Sequence, residues 1–171
     1  MRLAAVALVA VLAGVGTALA SSSRPAPLPG LPAYTAGFDS WTRLNRRPIP
    51  PRRSDPHFGT KNVYVNQARR RIAPGGRQRY PYPYGSIVVK SAKRPGQSFV
   101  SLVAVMRKVR GANRAHNDWV MVEYTRSSAR SRFRRLASGS ICTSCHVQAK
   151  RRDYVFTPLQ KQAAAVLRWE S

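Results

Sequence analysis

The sequence predicts an α+β domain built mainly from an antiparallel β-sheet with a few helices. Three observations lead to this fold class. The middle of the chain holds several short runs rich in β-branched and aromatic residues. Short turn-forming pieces separate these runs, which favours antiparallel pairing of neighbouring strands. Helical patterns occur in only a few places, and one of them, near the C-terminus, carries both cysteines of the chain.

The N-terminus has the layout of a secretory signal peptide. Arg2 precedes an apolar run from Leu3 to about Leu19, which ends in a small-x-small pattern before Ser21. These features predict export to the bacterial periplasm, with residues 1–20 removed by cleavage after Ala20. The alternative is a membrane anchor, but a spanning helix needs about 20 apolar residues and usually lacks a cleavage site. Cleavage would leave 171 − 20 = 151 residues, which suits one domain.

The chain is strongly basic, with 30 Lys and Arg against 6 Asp and Glu. Such a balance normally suggests a nucleic-acid partner. Predicted export argues against nucleic acid, and the basic residues are scattered in short clusters. We therefore interpret the charge as a solvated surface that attracts anionic membranes or an acidic redox partner. A general arginine-rich coding bias is the alternative explanation.

Composition divides the chain into three segments after the signal peptide. Residues 21–37 are rich in Ser and Pro and are expected to form a flexible leader. The main domain is placed at residues 38–158, and residues 159–171 are expected to form a helical tail. Within the domain, the Pro-rich stretch 46–56 can hold neither a helix nor a central strand, so we expect an ordered arm there.

Strands are expected at residues 62–66, 86–91, 98–109 and 118–125. The last run alternates, with Trp119, Met121 and Glu123 on one face. Helices are expected at residues 67–72, 138–149 and 158–169, the last with a proline at its start.

The two cysteines lie in one Cys-x-x-Cys-His motif, formed by Cys142, Cys145 and His146. On a helix, residues at positions i, i+3 and i+4 share a face, so the three side chains would point the same way. Two thiols can bond to the vinyl groups of a haem while the adjacent imidazole reaches the iron. The motif therefore predicts one covalently attached haem c, with His146 as the proximal iron ligand.

Three other interpretations of the motif fit the sequence less well. A disulfide or redox dithiol would suit an exported protein, but thioredoxin-like motifs follow the first strand of a βαβ unit, which is missing here. A zinc site needs about four ligands, and only His57 and His116 could join the motif. A chance occurrence is disfavoured because the motif contains both cysteines of the chain.

The late position of the motif argues against an ordinary electron carrier. Only 25 residues follow His146, and none is a methionine that could serve as a sixth ligand. The remaining methionines, Met106 and Met121, lie upstream in strand-like runs. The helical cytochrome c′ bundle also has a late motif, but the middle of this chain is not helical.

Several blocks of sequence carry a resemblance to one known family. They are Trp41 with Asn45, residues 57–66, 82–91 and 119–124, and the stretch 142–156 with its Asp-Tyr-Val-Phe ending. On these residues the chain resembles the cytochrome P460 family, which also includes the β-sheet cytochromes c′. The resemblance implies an antiparallel sheet with a few helices and a homodimer, while the helix that carries the haem near the C-terminus is predicted by the motif itself. It also implies a haem with an open or gas-binding face, and some members oxidise hydroxylamine with a lysine cross-linked to the haem.

The resemblance and the composition suggest candidates for the distal side. Lys90 or Lys61 could be the cross-linking lysine, although both could be ordinary strand lysines. Ser91 follows Lys90 where the family commonly shows an acidic residue, which puts an acid–base role at that position in doubt. Glu123 is the one carboxylate in an apolar strand; it could move protons or simply pair with an arginine.

Three rings complete the set of candidates. His57 is expected to make a structural hydrogen bond rather than to ligate iron. Phe58 and Phe99 are candidates for apolar packing over the iron, although aromatic residues in a β-core usually only pack there.

Three hypotheses about function follow. In the first, the protein is an exported haem c protein with an open distal site that binds nitric oxide or a similar small ligand, or transfers electrons. In the second, it is an enzyme that oxidises hydroxylamine or nitric oxide with a lysine-modified haem. In the third, it is a basic exported binding protein without haem.

Overall fold

The computed structural model describes residues 25–160. Its centre is a six-stranded antiparallel sheet in which every strand pairs with its neighbour in the chain. This meander confirms the mainly β fold that the sequence predicts. The strands are β1 (Thr42–Arg43), β2 (Thr60–Val65), β3 (Ile87–Lys93), β4 (Leu102–Lys108), β5 (Trp119–Thr125) and β6 (Arg134–Ser138).

Helices are short and lie outside the sheet. Within residues 25–160 the two α-helices are α1 (Arg69–Ile72) and α2 (Ser140–His146), and α2 runs directly into the 3-10 helix Val147–Arg152. Further 3-10 turns lie at Ala33–Thr35, Phe38–Ser40, Pro74–Gly76 and Arg114–His116. Between residues 25 and 160 no helix is long and apolar enough to cross a membrane.

Two of the three predicted helices are present with different bounds. The prediction at 67–72 corresponds to α1, and the prediction at 138–149 corresponds to α2 and the 3-10 helix after it. The third, at 158–169, lies mostly outside the described residues, and residues 158–160 have no regular structure. The signal peptide also lies outside them.

All four predicted strands are present, but β1 and β6 were missed. β1 has only two residues, which is too short for any periodic signal. β6 begins with three exposed residues in a row, Arg134, Arg135 and Leu136, so it lacks the alternation that identifies a half-buried strand. It lies at the edge of the sheet, paired only with β5, and its register shifts between Glu123 and Tyr124.

The sheet is covered on both faces. Consecutive residues of a strand point to opposite faces, and here Val88 belongs to one apolar cluster while Val89 belongs to the other. The second cluster includes Leu31, which is buried together with Thr35. Part of the segment expected as a flexible leader therefore packs against the sheet, and the packed chain begins before residue 38.

The stretch 46–56 reaches the sheet through one bridge. Ile49 and Lys61 exchange backbone hydrogen bonds of 2.8 and 2.9 Å, which pair the arm with the start of β2. Gly59 joins the arm to β2 with a φ of 130°, and a β-carbon there would lie 2.4 Å from the carbonyl oxygen of Lys93. Glycine is therefore required at this turn. The bridge and the turn hold residues 50–58 over the face of the sheet that carries Val88.

Candidate functional site

The three residues of the Cys-x-x-Cys-His motif line one cavity. Helix α2 carries all three residues at positions i, i+3 and i+4, so they share one face of the helix, as the spacing predicts. Cys142 and Cys145 are half-buried free thiols, and His146 is buried. The cavity that they face has a volume of about 580 Å³, within the range of small-molecule and cofactor pockets.

The opposite wall of the cavity is a continuous patch of four sheet strands. Two rows of paired residues run across β2, β3, β4 and β5. The first row contains two apolar and two ionisable side chains, and the second is apolar throughout. The rows are Val63, Lys90, Ala104 and Glu123, and Val65, Val88, Met106 and Met121. Every member except Val65 lines the cavity.

The His146 ring is held by the chain that follows its helix. Its Nδ1 lies 2.7 Å from the carbonyl oxygen of Tyr154. A carbonyl can only accept, so Nδ1 carries the proton and Nε2 keeps its lone pair. Burial lowers the pKa of His146, partly offset by this hydrogen bond. The imidazole is therefore neutral at pH 7 with Nε2 available as a metal ligand. Phe156 packs edge-on against the ring, with centroids 5.2 Å apart.

Three ionisable side chains lie together on the other side of the cavity. Lys90 Nζ lies 3.0 Å from His57 Nδ1, and His57 Nε2 lies 3.9 Å from Glu123 Oε2. The rings of His57 and His146 both line the cavity, with centroids 6.4 Å apart and planes tilted by 58°. These three residues are far apart in the sequence. The fold of the arm brings His57 to Lys90 on β3 and Glu123 on β5.

Burial shifts the proton affinity of all three groups. It lowers the pKa of Lys90 and raises the pKa of Glu123, against an opposing effect of Lys90 on Glu123. Burial, followed by the charge of Lys90, lowers the pKa of His57 to about 3. Glu123 Oε1 is buried and has no hydrogen-bond partner among the described residues. Within that part of the chain no arginine pairs with Glu123; its 3.9 Å contact is with the His57 ring, which is neutral at pH 7.

An ion pair lies at the arm end of the cavity. Lys61 is almost fully buried, and its Nζ lies 2.7 Å from Asp55 Oδ2. Burial raises the pKa of Asp55, but the hydrogen bond from Lys61 and the charge of Lys90 outweigh this effect, so its pKa is lowered overall. Asp55 also accepts the backbone N–H of His57 at 2.9 Å. Asp55 therefore fixes both Lys61 and the segment that carries His57.

Some sequence candidates lie away from the cavity. Phe58 is exposed and Phe99 packs near the guanidinium of Arg126, and neither lines the cavity. The aromatic lining residue is Phe156, which follows the motif in sequence. Ser91 is also absent from the lining, because it alternates with Lys90 and points to the other face. The acids that line the cavity are thus Asp55 and Glu123.

The low pKa of His57 gives a testable pH dependence of stability. The unfolded state, with an ordinary histidine pKa of 6.5, binds this proton between about pH 6.5 and 3, whereas the folded state does not. The free energy of unfolding that His57 contributes is therefore lost as the pH falls from about 6.5 to about 3. We expect His57→Gln to remove a slope of about 1.4 kcal/mol per pH unit between pH 6 and 5. Denaturant unfolding followed by circular dichroism would measure it; parallel curves for wild type and variant would contradict the assignment.

Comparison with known proteins gives the family. The family model described as cytochrome P460 matches residues 35–157. The chain belongs to the cytochrome P460 family. The match covers most of the chain and contains every cavity residue named above. Membership of the cytochrome P460 family implies a c-type haem cofactor. No curated protein sequence matches the chain significantly.

Proposed function

We propose that the protein is an exported c-type cytochrome that binds nitric oxide or a similar small ligand at its haem, or transfers electrons. One observation carries the proposal. The side chains Cys142, Cys145 and His146 line one side of a cavity of about 580 Å³, and Lys90 and Glu123 line the facing sheet.

The residues present fit a covalently bound haem. Two thiols three positions apart can form thioether bonds, and the free Nε2 of His146 can serve as the proximal ligand. The apolar row that contains Val88, Met106 and Met121 offers packing for a large flat ring. When bound, the haem would supply an iron centre able to take up a small ligand or an electron.

The polar groups on the facing wall would then control what binds. His57 and Lys90 are nitrogen donors, and a ligand that gains negative charge on binding would be stabilised by them. The family resemblance supports a homodimer, and the N-terminal sequence supports export with cleavage near Ala20. The basic surface would favour an acidic redox partner.

Intact mass and the visible spectrum of purified protein test this proposal together. We expect a chain that begins at Ser21, carries the mass of one haem and has an ordinary c-type spectrum. The haem mass should persist under denaturing conditions, because thioether bonds are covalent. A colourless protein with the mass of the polypeptide alone would overturn the proposal and favour a basic binding protein without haem.

A second function is favoured by the buried oxygen of Glu123. Among residues 25–160 no donor reaches Oε1, a buried acceptor usually has one, and nitric oxide has no hydrogen to donate. Hydroxylamine donates and accepts hydrogen bonds, so it fits a wall with both Glu123 and His57. The second candidate is therefore an oxidoreductase acting on hydroxylamine, with a lysine-modified haem.

The same spectrum separates the two candidates. A cross-linked haem would give a red-shifted ferrous band, whereas an ordinary c-type band would exclude the lysine-modified enzyme. Lys90 is the more suitable lysine, because burial lowers its pKa and favours the neutral amine, whereas Lys61 is held in an ion pair with Asp55. Peptide mapping of the haem-bearing fragments would identify the lysine.

A further inference from the structure

A buried acidic residue lies between the proximal histidine and the rest of the domain. Asp153 and Tyr154 follow the 3-10 helix after α2 and have φ angles of 53° and 65°. Such left-handed conformations are uncommon outside glycine and need surrounding contacts to hold them. Asp153 is 3 % exposed, so those contacts are internal.

The Asp153 carboxylate joins three other parts of the chain. Its Oδ2 accepts the backbone N–H of Tyr82 at 2.8 Å and an N–H of the Lys108 ammonium at 2.5 Å. Its Oδ1 accepts from Asn117 Nδ2 at 2.5 Å. These donors come from the segment before β3, the end of β4 and the turn before β5. The carboxylate is thus fixed from three directions.

Lys108 is buried as deeply as its partner. It is 3 % exposed, and its Nζ also lies 5.2 Å from the centre of the Trp119 ring. A buried charge pair is weak evidence for a stabilising role, because an apolar replacement of similar volume is often at least as stable. Stability therefore does not explain why this ion pair is buried. The position of the pair beside Tyr154 points to a different role.

Tyr154 is the link between this pair and His146. Its carbonyl oxygen accepts the His146 Nδ1–H at 2.7 Å, and its own N–H donates to Ala149 at 3.0 Å. The direction of that carbonyl depends on the left-handed conformation of residues 153 and 154. Hydrogen bonds to the far nitrogen of a ligating histidine orient the ring and raise its basicity.

We propose that Asp153 and Lys108 are positioning residues that set the reduction potential of the haem iron through the Tyr154 carbonyl and His146. The inference rests on the proposed haem site. The ion pair, with Asn117, fixes residues 153 and 154, and the fixed carbonyl keeps the His146 Nδ1–H bond short. A short bond makes the imidazole a stronger donor, which favours the ferric state.

The haem-loaded variant Asp153→Asn tests the proposal. We expect a shift of the reduction potential to a higher value and a lower Fe–His stretching frequency in the resonance Raman spectrum of the ferrous protein. Asp153→Glu keeps a carboxylate for Lys108 and should restore part of both shifts. Asp39→Asn is the matched control, because Asp39 is exposed and should leave both values unchanged.

A double variant separates positioning from folding. Asp153→Leu combined with Lys108→Met removes both charges, and it keeps the test available if Asp153→Asn leaves Lys108 unpaired and fails to fold. We expect the double variant to show the same two shifts. Wild-type potential and Fe–His frequency in a folded variant would overturn the proposal. A wild-type protein without haem would instead overturn the proposed function, and the visible spectrum reveals that first.

Discussion

Variants Cys145→Ser and His146→Ala are expected to accumulate as unstable apo-protein. The cavity of about 580 Å³ would lose its contents, and a dry cavity destabilises a protein by about 24 cal/mol per Å³. Water entering the cavity reduces this figure, but a typical domain has only about 5–15 kcal/mol of stability in total.

Purification yield, the visible spectrum and a thermal melt measure this effect. We expect little soluble protein, no haem absorption and a broad, non-cooperative melt from both variants. Ser144→Ala is a suitable control, because Ser144 lies on the same helix but is exposed. A soluble apo-form that unfolds cooperatively at the wild-type temperature would show that the fold does not depend on haem.

The parts of the fold that the sequence predicts correctly are those with a local signal. Alternation over 118–125 places Trp119, Met121 and Glu123 on one face, and all three are buried there. The spacing of Cys142, Cys145 and His146 likewise predicts a shared helix face, which α2 confirms. Both signals depend only on residues that are close in sequence, within one turn of a helix or a few residues of a strand.

The parts that were missed depend on contacts between distant residues. Lys108 and Asp153 pair across 45 positions, and nothing local marks a lysine at a strand end as buried. The arm reaches the cavity through the bridge between Ile49 and Lys61, so the place of His57 could not be read from its neighbours.

Lys61 is a case in which a usable signal was present. It alternates with Val63 and Val65, which share its face of β2, and all three are buried. A lysine in register with two core valines is expected to point inward, and an inward lysine needs a partner. The sequence could therefore have predicted burial of Lys61, but the identity of its partner Asp55 follows only from the fold of the arm.

Glu123→Gln is expected to give the largest loss of activity if the protein oxidises hydroxylamine. General acid–base catalysis by a positioned carboxylate typically contributes about 10²–10⁴-fold to the rate, and the amide cannot accept the proton. Since burial raises the pKa of Glu123, wild-type activity should fall as the pH decreases through that raised value, above the ordinary 4.5. Steady-state oxidation of hydroxylamine between pH 5 and 8 would measure both effects.

The controls for Glu123→Gln distinguish loss of the proton acceptor from loss of the site. The variant should retain haem and the wild-type visible spectrum, because Gln has nearly the same volume and Glu123 does not contact His146 by hydrogen bond or ion pair. Asp39→Asn, an exposed carboxylate on the 3-10 helix Phe38–Ser40, should keep full activity. Equal turnover in wild type and Glu123→Gln would remove Glu123 from the chemistry. A haem-loaded wild type without turnover would exclude the enzyme altogether and leave the ligand-binding cytochrome.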